Sequence, residues 1–281
     1  MKLFDYHIHT VRCKHAEGTM DQYVQAAIAA GLGEMGFSDH LPLPMPGPSP
    51  WNMLEHELPL YVREVLTLRE KYPRIAIRLG AEMDYVEGCE DELRRLARSQ
   101  AFDYMIGSVH FIPPGSISRE PLEPPFLFCV DAPSQLDEWK RHKVDDVYRA
   151  HIGQLERLAG SRLCQVIGHV DLPKKFGFRH SSRLLEDYRR LATTIARHGL
   201  LCEINTAGLR KPVKEIYPSL DILRILHAAG VGITLGSDAH KPDEVGKDLT
   251  LALDLARAAG YDRIHKWAAP GKFIAVGLAG P

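Results

Sequence analysis

The stretch MKLFDYHIHT (Met1–Thr10) decides how the chain is read. Lys2 to Tyr6 is a short strand-like run, and it leads directly into His7 and His9. Alternate residues of an extended strand point to the same side, so both imidazoles can reach one ion. The arrangement returns near the other end, where the strand-like run Val231 to Leu235 leads to Asp238 and His240. Further runs of this kind are Glu34 to Phe37, Ile75 to Leu79, Phe102 to Gly107, Leu163 to Ile167 and Leu201 to Ile204. Helical patterns separate them. Met20 to Ala30, with Thr19 as N-cap and Gly31 as stop, is the clearest. The others are about Glu55 to Lys71, Asp91 to Ser99, Asp137 to Leu158, Ser182 to His198, Leu220 to Ala229 and Asp243 to Ala259.

Seven strands that each precede a helix predict a mostly parallel α/β sheet, and their even spacing over 281 residues favours a barrel over a doubly wound sheet. No GxGxxG or Walker-type loop is present. Almost every strand ends in a metal-ligand type: His7 and His9, then Asp39 and His40, Glu82, His110, His169, Glu203 and Asn205, and finally Asp238 and His240. In a barrel the carboxyl ends of the strands meet on one face, so these residues are expected to share a pocket. Glu82 follows the apolar run IAIRLGA, where an unpaired carboxylate is costly and a bridging role between two cations accounts for it. His56, His142, His151, His180, His198, His227 and His265 show no such convergence and read as solvated or packed side chains. Two proline-rich segments, 41–53 and 112–134, read as long loops over the mouth of the site within a single domain spanning 1–281.

Charge and cysteine content narrow the function classes. Lys+Arg 35 against Asp+Glu 36 leaves a formal charge of -1, which offers no global attraction for nucleic acid or an anionic membrane. No apolar run has the length of a signal peptide or a membrane span, and the cysteines, odd in number with no CxxC pair, suit a reducing compartment. A cytoplasmic location is expected. Cys164 and Cys202 sit in apolar runs and read as packing, and Cys13, a lone thiol near candidate ligands, lacks a matching partner for a metal role.

The motifs HIHT, SDH, GAEMD, SVH, GHVD and SDAH, in this order, resemble the PHP superfamily of metal-dependent phosphoesterases. The segments DYHIHTVRCKHAEGTMDQYVQAAIAAGLGEMGFSDHLPLP, INTAGLRKPVKEIYPS and ITLGSDAHKPDEVG are similar to its histidinol-phosphate phosphatase branch. The likeness covers nearly the whole chain and implies a distorted seven-stranded, TIM-like (β/α)7 barrel with two to three divalent ions. It implies that His7, His9, Glu82 and Asp238 hold the first ion and that Glu82 bridges to a second held by His110 and His169. A third would be held by His15, His40 and His240. His15 enters only through this resemblance, because it lies in a loop and not at a strand end.

The activity implied is hydrolysis of L-histidinol phosphate, a small phosphomonoester, in histidine biosynthesis. A water shared between two cations has its pKa lowered towards neutrality and is expected to attack phosphorus in line. Asp238 or His240 is the expected proton source for the leaving alkoxide. Phosphate is expected to meet Arg210, after NTAGL, and Arg179, in KKFGFRH, with Lys174 and Lys175 as further candidates. Asn205 is read as supporting the strand-end geometry. The alternatives are a nuclease, a phosphatase of another small phosphoester, and a metal-binding regulatory module without turnover. Zinc, iron, manganese and cobalt all suit such ligands, and an oligomer is compatible with the sequence.

Overall fold

The computed structural model describes residues 2–44, 49–117 and 128–278. From the N-terminus, β1 (Phe4–Asp5), α1 (Met20–Ala29), β2 (Glu34–Phe37), α2 (Leu58–Lys71), β3 (Ala76–Asp84), α3 (Glu90–Arg98) and β4 (Tyr104–Ser108) alternate. A small hairpin of β5 (Phe111–Ile112) and β6 (Phe128–Cys129) follows, then α4 (Leu136–Trp139) and α5 (Val144–Ser161). The alternation resumes with β7 (Val166–Ile167), α6 (Leu185–Arg197), β8 (Leu201–Asn205), α7 (Leu220–Ala228), β9 (Gly232–Gly236) and α8 (Leu249–Ala258). The chain finishes in an antiparallel hairpin, β10 (Arg263–Ala269) and β11 (Lys272–Gly277).

Seven strands form one parallel sheet in the order β1-β2-β3-β4-β7-β8-β9. The sheet closes on itself. Tyr6 N donates to Leu235 O (3.1 Å), His9 N donates to Ala239 O (2.9 Å), and Ile8 bridges Ala239 in parallel. The expected seven-stranded barrel is therefore the observed architecture. Its helices begin as their sequences dictate: Thr19 Oγ1 accepts from Gln22 N while Gln22 Oε1 accepts from Thr19 N, a reciprocal capping box at the start of α1.

The interior is filled by large side chains facing small ones. Tyr104 crosses the barrel from β4, and its hydroxyl donates to Tyr6 O on the far wall (2.6 Å). Gly80 makes the space: a Cβ there would lie 2.3 Å from the Tyr104 ring. Truncating a buried ring of this size to alanine costs roughly 3–5 kcal/mol.

Several boundaries differ from those expected, among them the start of α8, at Leu249 where Asp243 was expected, because Pro242–Glu244 forms a separate 3-10 turn. β3 runs on to Asp84, so Glu82 lies inside the strand, paired with His40 across an isolated bridge. The helix expected over Asp137 to Leu158 is broken after Trp139. That indole donates to Val130 O (3.1 Å) and stacks on Phe178 (4.3 Å), while Arg141 and His142 turn back onto Glu138. The β10–β11 hairpin was not anticipated, because its strands pair with each other and stay half exposed, without the apolar signature of a barrel strand. It covers the amino-terminal end of the barrel, where Phe273 packs against Tyr6 and Tyr104 and Trp267 Nε1 donates to Asp103 O (3.1 Å). Residues 45–48 and 118–127 of the two long loops lie outside the described residues.

Candidate metal centre

At the carboxyl end of the barrel the polar strand ends meet around Glu82, which is 1% exposed. Its Oε2 lies 3.1 Å from His7 Nε2, 3.4 Å from His9 Nε2 and 3.3 Å from His40 Nδ1. Its Oε1 lies 3.2 Å from His169 Nε2 and 3.8 Å from His110 Nε2. Asp238 Oδ1 stands 3.1 Å from His9 Nε2 and 3.5 Å from His240 Nδ1, and His240 Nε2 is 2.9 Å from His15 Nε2. The structure thus gathers all nine of His7, His9, His15, His40, Glu82, His110, His169, Asp238 and His240 into one cluster.

Local backbone explains how they converge. His7 and His9 lie on the same side of the extension of β1, their rings 5.0 Å apart. Asp238 takes the left-handed conformation (φ 54°) just past β9, a local strain that commonly marks functional turns. Gly236 is needed beneath it, since a Cβ there would meet Glu203 Oε1 at 1.9 Å.

A surrounding set of carboxylates fixes the rings. His7 Nδ1 is 2.6 Å from Glu203 Oε1, which leaves Nε2 directed at Glu82. Asp84 serves two histidines: Oδ1 takes His110 Nδ1, and Oδ2 takes His40 Nδ1 at 3.1 Å together with Asn52 Nδ2 at 2.6 Å. Asn205 Nδ2 donates to both Glu203 Oε2 and Asp238 Oδ2 (3.1 Å each). Such partners select the tautomer and orientation of a ligating imidazole. Sequence reasoning gave no role to Asp84, although its position two residues beyond Glu82 places it on the same side of β3.

The cluster's charges act strongly on one another, and several of its buried polar atoms have no partner within the protein. Burial pushes the Glu82 and Asp238 carboxyls up, but the adjacent histidines hold both well below the ordinary carboxylate range. Burial likewise pushes His110 down, and Asp84 more than reverses this, raising it to about 9. Yet His7 Nε2, both ring nitrogens of His9 and Glu82 Oε2 are buried with no hydrogen-bond partner. Buried polar atoms without partners are costly, and here they point at one another. Ligand atoms of three overlapping triads, His7/His9/Glu82, His40/Glu82/His110 and His9/His40/His240, each lie within 4.8 Å of one another. Imidazoles with carboxylates at this density fit divalent transition metals.

The basic residues are distributed differently. A cavity of about 230 Å³ opens over the cluster, and Glu82, Asp238 and His240 line it together with Lys175, Lys211 and Lys241. Arg210 is not among the residues that line this cavity: its Nη2 donates to Ser237 O (2.6 Å) and its Nε lies 3.2 Å from Glu244, while Nη1 is buried without a partner. Arg179 stands outside the cavity at the surface, paired with Glu215. Lys174 is buried and committed to Asp171 (2.8 Å) and Ile216 O (2.7 Å). Lys211 was not singled out from the sequence, although it directly follows Arg210.

A closed parallel barrel with a histidine–carboxylate cluster at its carboxyl face is the architecture of metal-dependent hydrolases. The PHP domain model matches residues 5–207, and the chain belongs to this family. A relative from Deinococcus radiodurans, named probable histidinol-phosphatase, is 37% identical over 245 residues, 87% of this chain and 88% of its own. The histidinol-phosphatase of Bacillus subtilis is 28% identical over 262 residues, covering 88% and 96%. Among solved structures, the histidinol phosphate phosphatase of Lactococcus lactis, complexed with zinc, L-histidinol and phosphate, aligns with a TM-score of 0.80 at 23% identity, covering 97% of this chain and 99% of that one. Among the described residues no helix is long and apolar enough to cross a membrane.

Proposed function

We propose that this chain is a metal-dependent phosphomonoesterase that hydrolyses L-histidinol phosphate to L-histidinol and phosphate, a step of histidine biosynthesis in the cytoplasm. The observation that carries the reading is the set of unpartnered buried ligand atoms around Glu82. The names of the Deinococcus and Bacillus relatives support the substrate. Two to three divalent ions, zinc, iron or manganese, are held by His7, His9, Glu82 and Asp238, by Glu82 with His110 and His169, and by His15, His40 and His240. Such ions supply Lewis acidity towards water and towards the phosphate oxygens.

The remaining work falls to the protein. Asp84 and Glu203 keep the imidazoles of His40, His110 and His7 in the orientation that presents their free nitrogens to the centre. Lys175 and Lys211 face the cavity and offset phosphate charge that the centre leaves uncompensated. Arg210 contributes through its unpartnered Nη1 while its other nitrogens brace the turn carrying Asp238 and His240. Asp238 and His240, the expected proton sources, are both ligands in this reading and the Asp238 carboxyl is held well below its ordinary range, so the departing alkoxide would take its proton from a water that one of them positions.

The test is phosphate release from histidinol phosphate against a panel of phosphomonoesters and a single-stranded oligonucleotide, with metal content measured on the same sample. Preference for histidinol phosphate in a preparation holding at least two metal equivalents is the expected result. Equal rates across the panel, or nuclease activity alone, would refute it.

A further inference from the structure

Away from the metal centre, at the end of the barrel covered by the β10–β11 hairpin, a pocket of about 260 Å³ is lined by Arg94, Arg98 and Arg162 together with Gln165 and the hairpin turn Pro270–Gly271. Little opposes these arginines. Arg94 is paired with Asp91 (3.0 Å), but Arg98 and Arg162 have neither an ion pair nor a hydrogen bond among the described residues. Asp103 is the carboxylate in the pocket wall, and its Oδ2 is already taken by Arg69 Nη2 (2.7 Å) and Leu79 N (2.8 Å). The chain as a whole carries a formal charge of -1, so this surplus is local.

A larger groove of about 830 Å³ adjoins the pocket through Arg162, Gln165 and Gly271, which line both. Its walls include Leu201, Phe273 and Ile274, the last 54% exposed. No carboxylate is among the described residues that line it, whereas His198, His265 and Lys272 are. His265 also keeps a buried Nδ1 without a hydrogen-bond partner. Apolar walls with a few polar groups placed among them are the usual make-up of a small-molecule site. The backbone does not call for an arginine at position 162. That residue follows α5 in the left-handed conformation (φ 59°), which asparagine and glycine adopt at less cost.

We propose that the pocket and groove form one binding site for a small amphipathic anion, its oxyanion group held by Arg98 and Arg162 and its apolar body laid along Leu201, Phe273 and Ile274. The site is separate from the metal centre and does not depend on the hydrolytic reading. Guanidinium groups grip oxyanions through paired N–H donors. Arg98 lies in the last turn of α3 and Arg162 directly after α5. The competing account is therefore that each arginine only complements the negative end of its helix.

Two dyes separate these accounts: 8-anilinonaphthalene-1-sulfonate, and N-phenyl-1-naphthylamine, which has the same rings without the sulfonate. Both are titrated by fluorescence into metal-replete wild type, Arg98→Gln and Arg162→Asn, with saturating inorganic phosphate present to occupy the metal centre. Wild type is expected to bind one sulfonate dye per chain and to prefer it to the neutral dye by about ten-fold or more, and each variant to lose most of that preference. Phosphatase activity measured without dye should stay unchanged in both variants, since neither residue lines the cavity over the cluster. Equal affinity of wild type for the two dyes overturns the proposal. So does a preference unchanged within about two-fold in both variants, the result expected if the arginines serve only their helices. Should a variant not fold, hydrogen exchange on wild type decides: the sulfonate dye must protect β11 and the end of α3, and protection only at other surfaces overturns the assignment.

Discussion

Two glutamates, one at each end of the barrel, are each 1% exposed and are treated in opposite ways. Glu34, at the amino-terminal end, is fully served by the protein. Tyr6 Oη donates to it (2.9 Å), as do Arg78 Nε (2.7 Å) and Lys266 Nζ (2.9 Å) from the covering hairpin. Glu82, at the other end, is surrounded by imidazoles, and its Oε2 has no hydrogen-bond partner. The first is a finished structural contact; the second leaves a buried oxygen without a partner, which in the proposed function an ion would meet. Burial alone therefore does not mark a functional carboxylate, whereas burial together with unsatisfied neighbours does.

The strongest way to break this contrast is Glu82→Gln. Removing the charge shared between ion positions is expected to lower kcat/KM at least about 10³-fold and to reduce bound metal. Elemental analysis and kinetics on one preparation check both, and near-wild-type activity would remove Glu82 from the centre. Stripping the metal with a chelator should act on stability through this end only. A site saturated about 1,000-fold above its Kd contributes roughly 4 kcal/mol per ion, so the chelated protein should melt earlier and recover on adding zinc or manganese. Hydrogen exchange should rise near His9 and Asp238 and stay unchanged in β10 and β11; uniform loosening would contradict the division.

Arg210→Ala is expected to cost about 2–4 kcal/mol in kcat/KM, the value of a charge-assisted donor in a dry site, with Arg210→Lys restoring part of it. Its contact with the turn carrying Asp238 and His240 sharpens the measurement. Loss of metal together with activity would make it a brace, and loss of activity alone a phosphate contact.

The smallest effect belongs to Glu34. Burial pushes its carboxyl up, but Arg78 and Lys266 more than reverse this and leave it below the ordinary value of 4.5. A depressed carboxyl stabilises the fold above its unfolded pKa and loses that contribution as pH falls through the folded one. Glu34→Gln should thus cost about 1–3 kcal/mol at pH 7, with metal content unaltered. The difference from wild type should shrink in urea titrations carried below about pH 4.5. A pH-independent difference would show that packing, not charge, is responsible.

The barrel was legible because strand and helix periodicity are local, and seven short apolar runs ending in ligand types leave few architectures open. His7, His9, Glu82 and Asp238 were legible for the same reason, each lying at or just past a strand. His15 was not, since a loop has no period, and only likeness to a family placed it beside His240. Periodicity also says nothing about whether a buried group is satisfied. That Glu34 is paired and Glu82 is not depends on Lys266 arriving from a hairpin more than two hundred residues away, and on imidazoles converging from five strands. The placement of Asp131 against Lys175, and of Arg179 outside the cavity, was decided in the same way. Residue order along the chain determined which chemistry was present and on which face of the barrel it would gather. Which charges were neutralised within the protein and which were left facing the cavity depended on contacts between distant segments, and only the folded structure contains those.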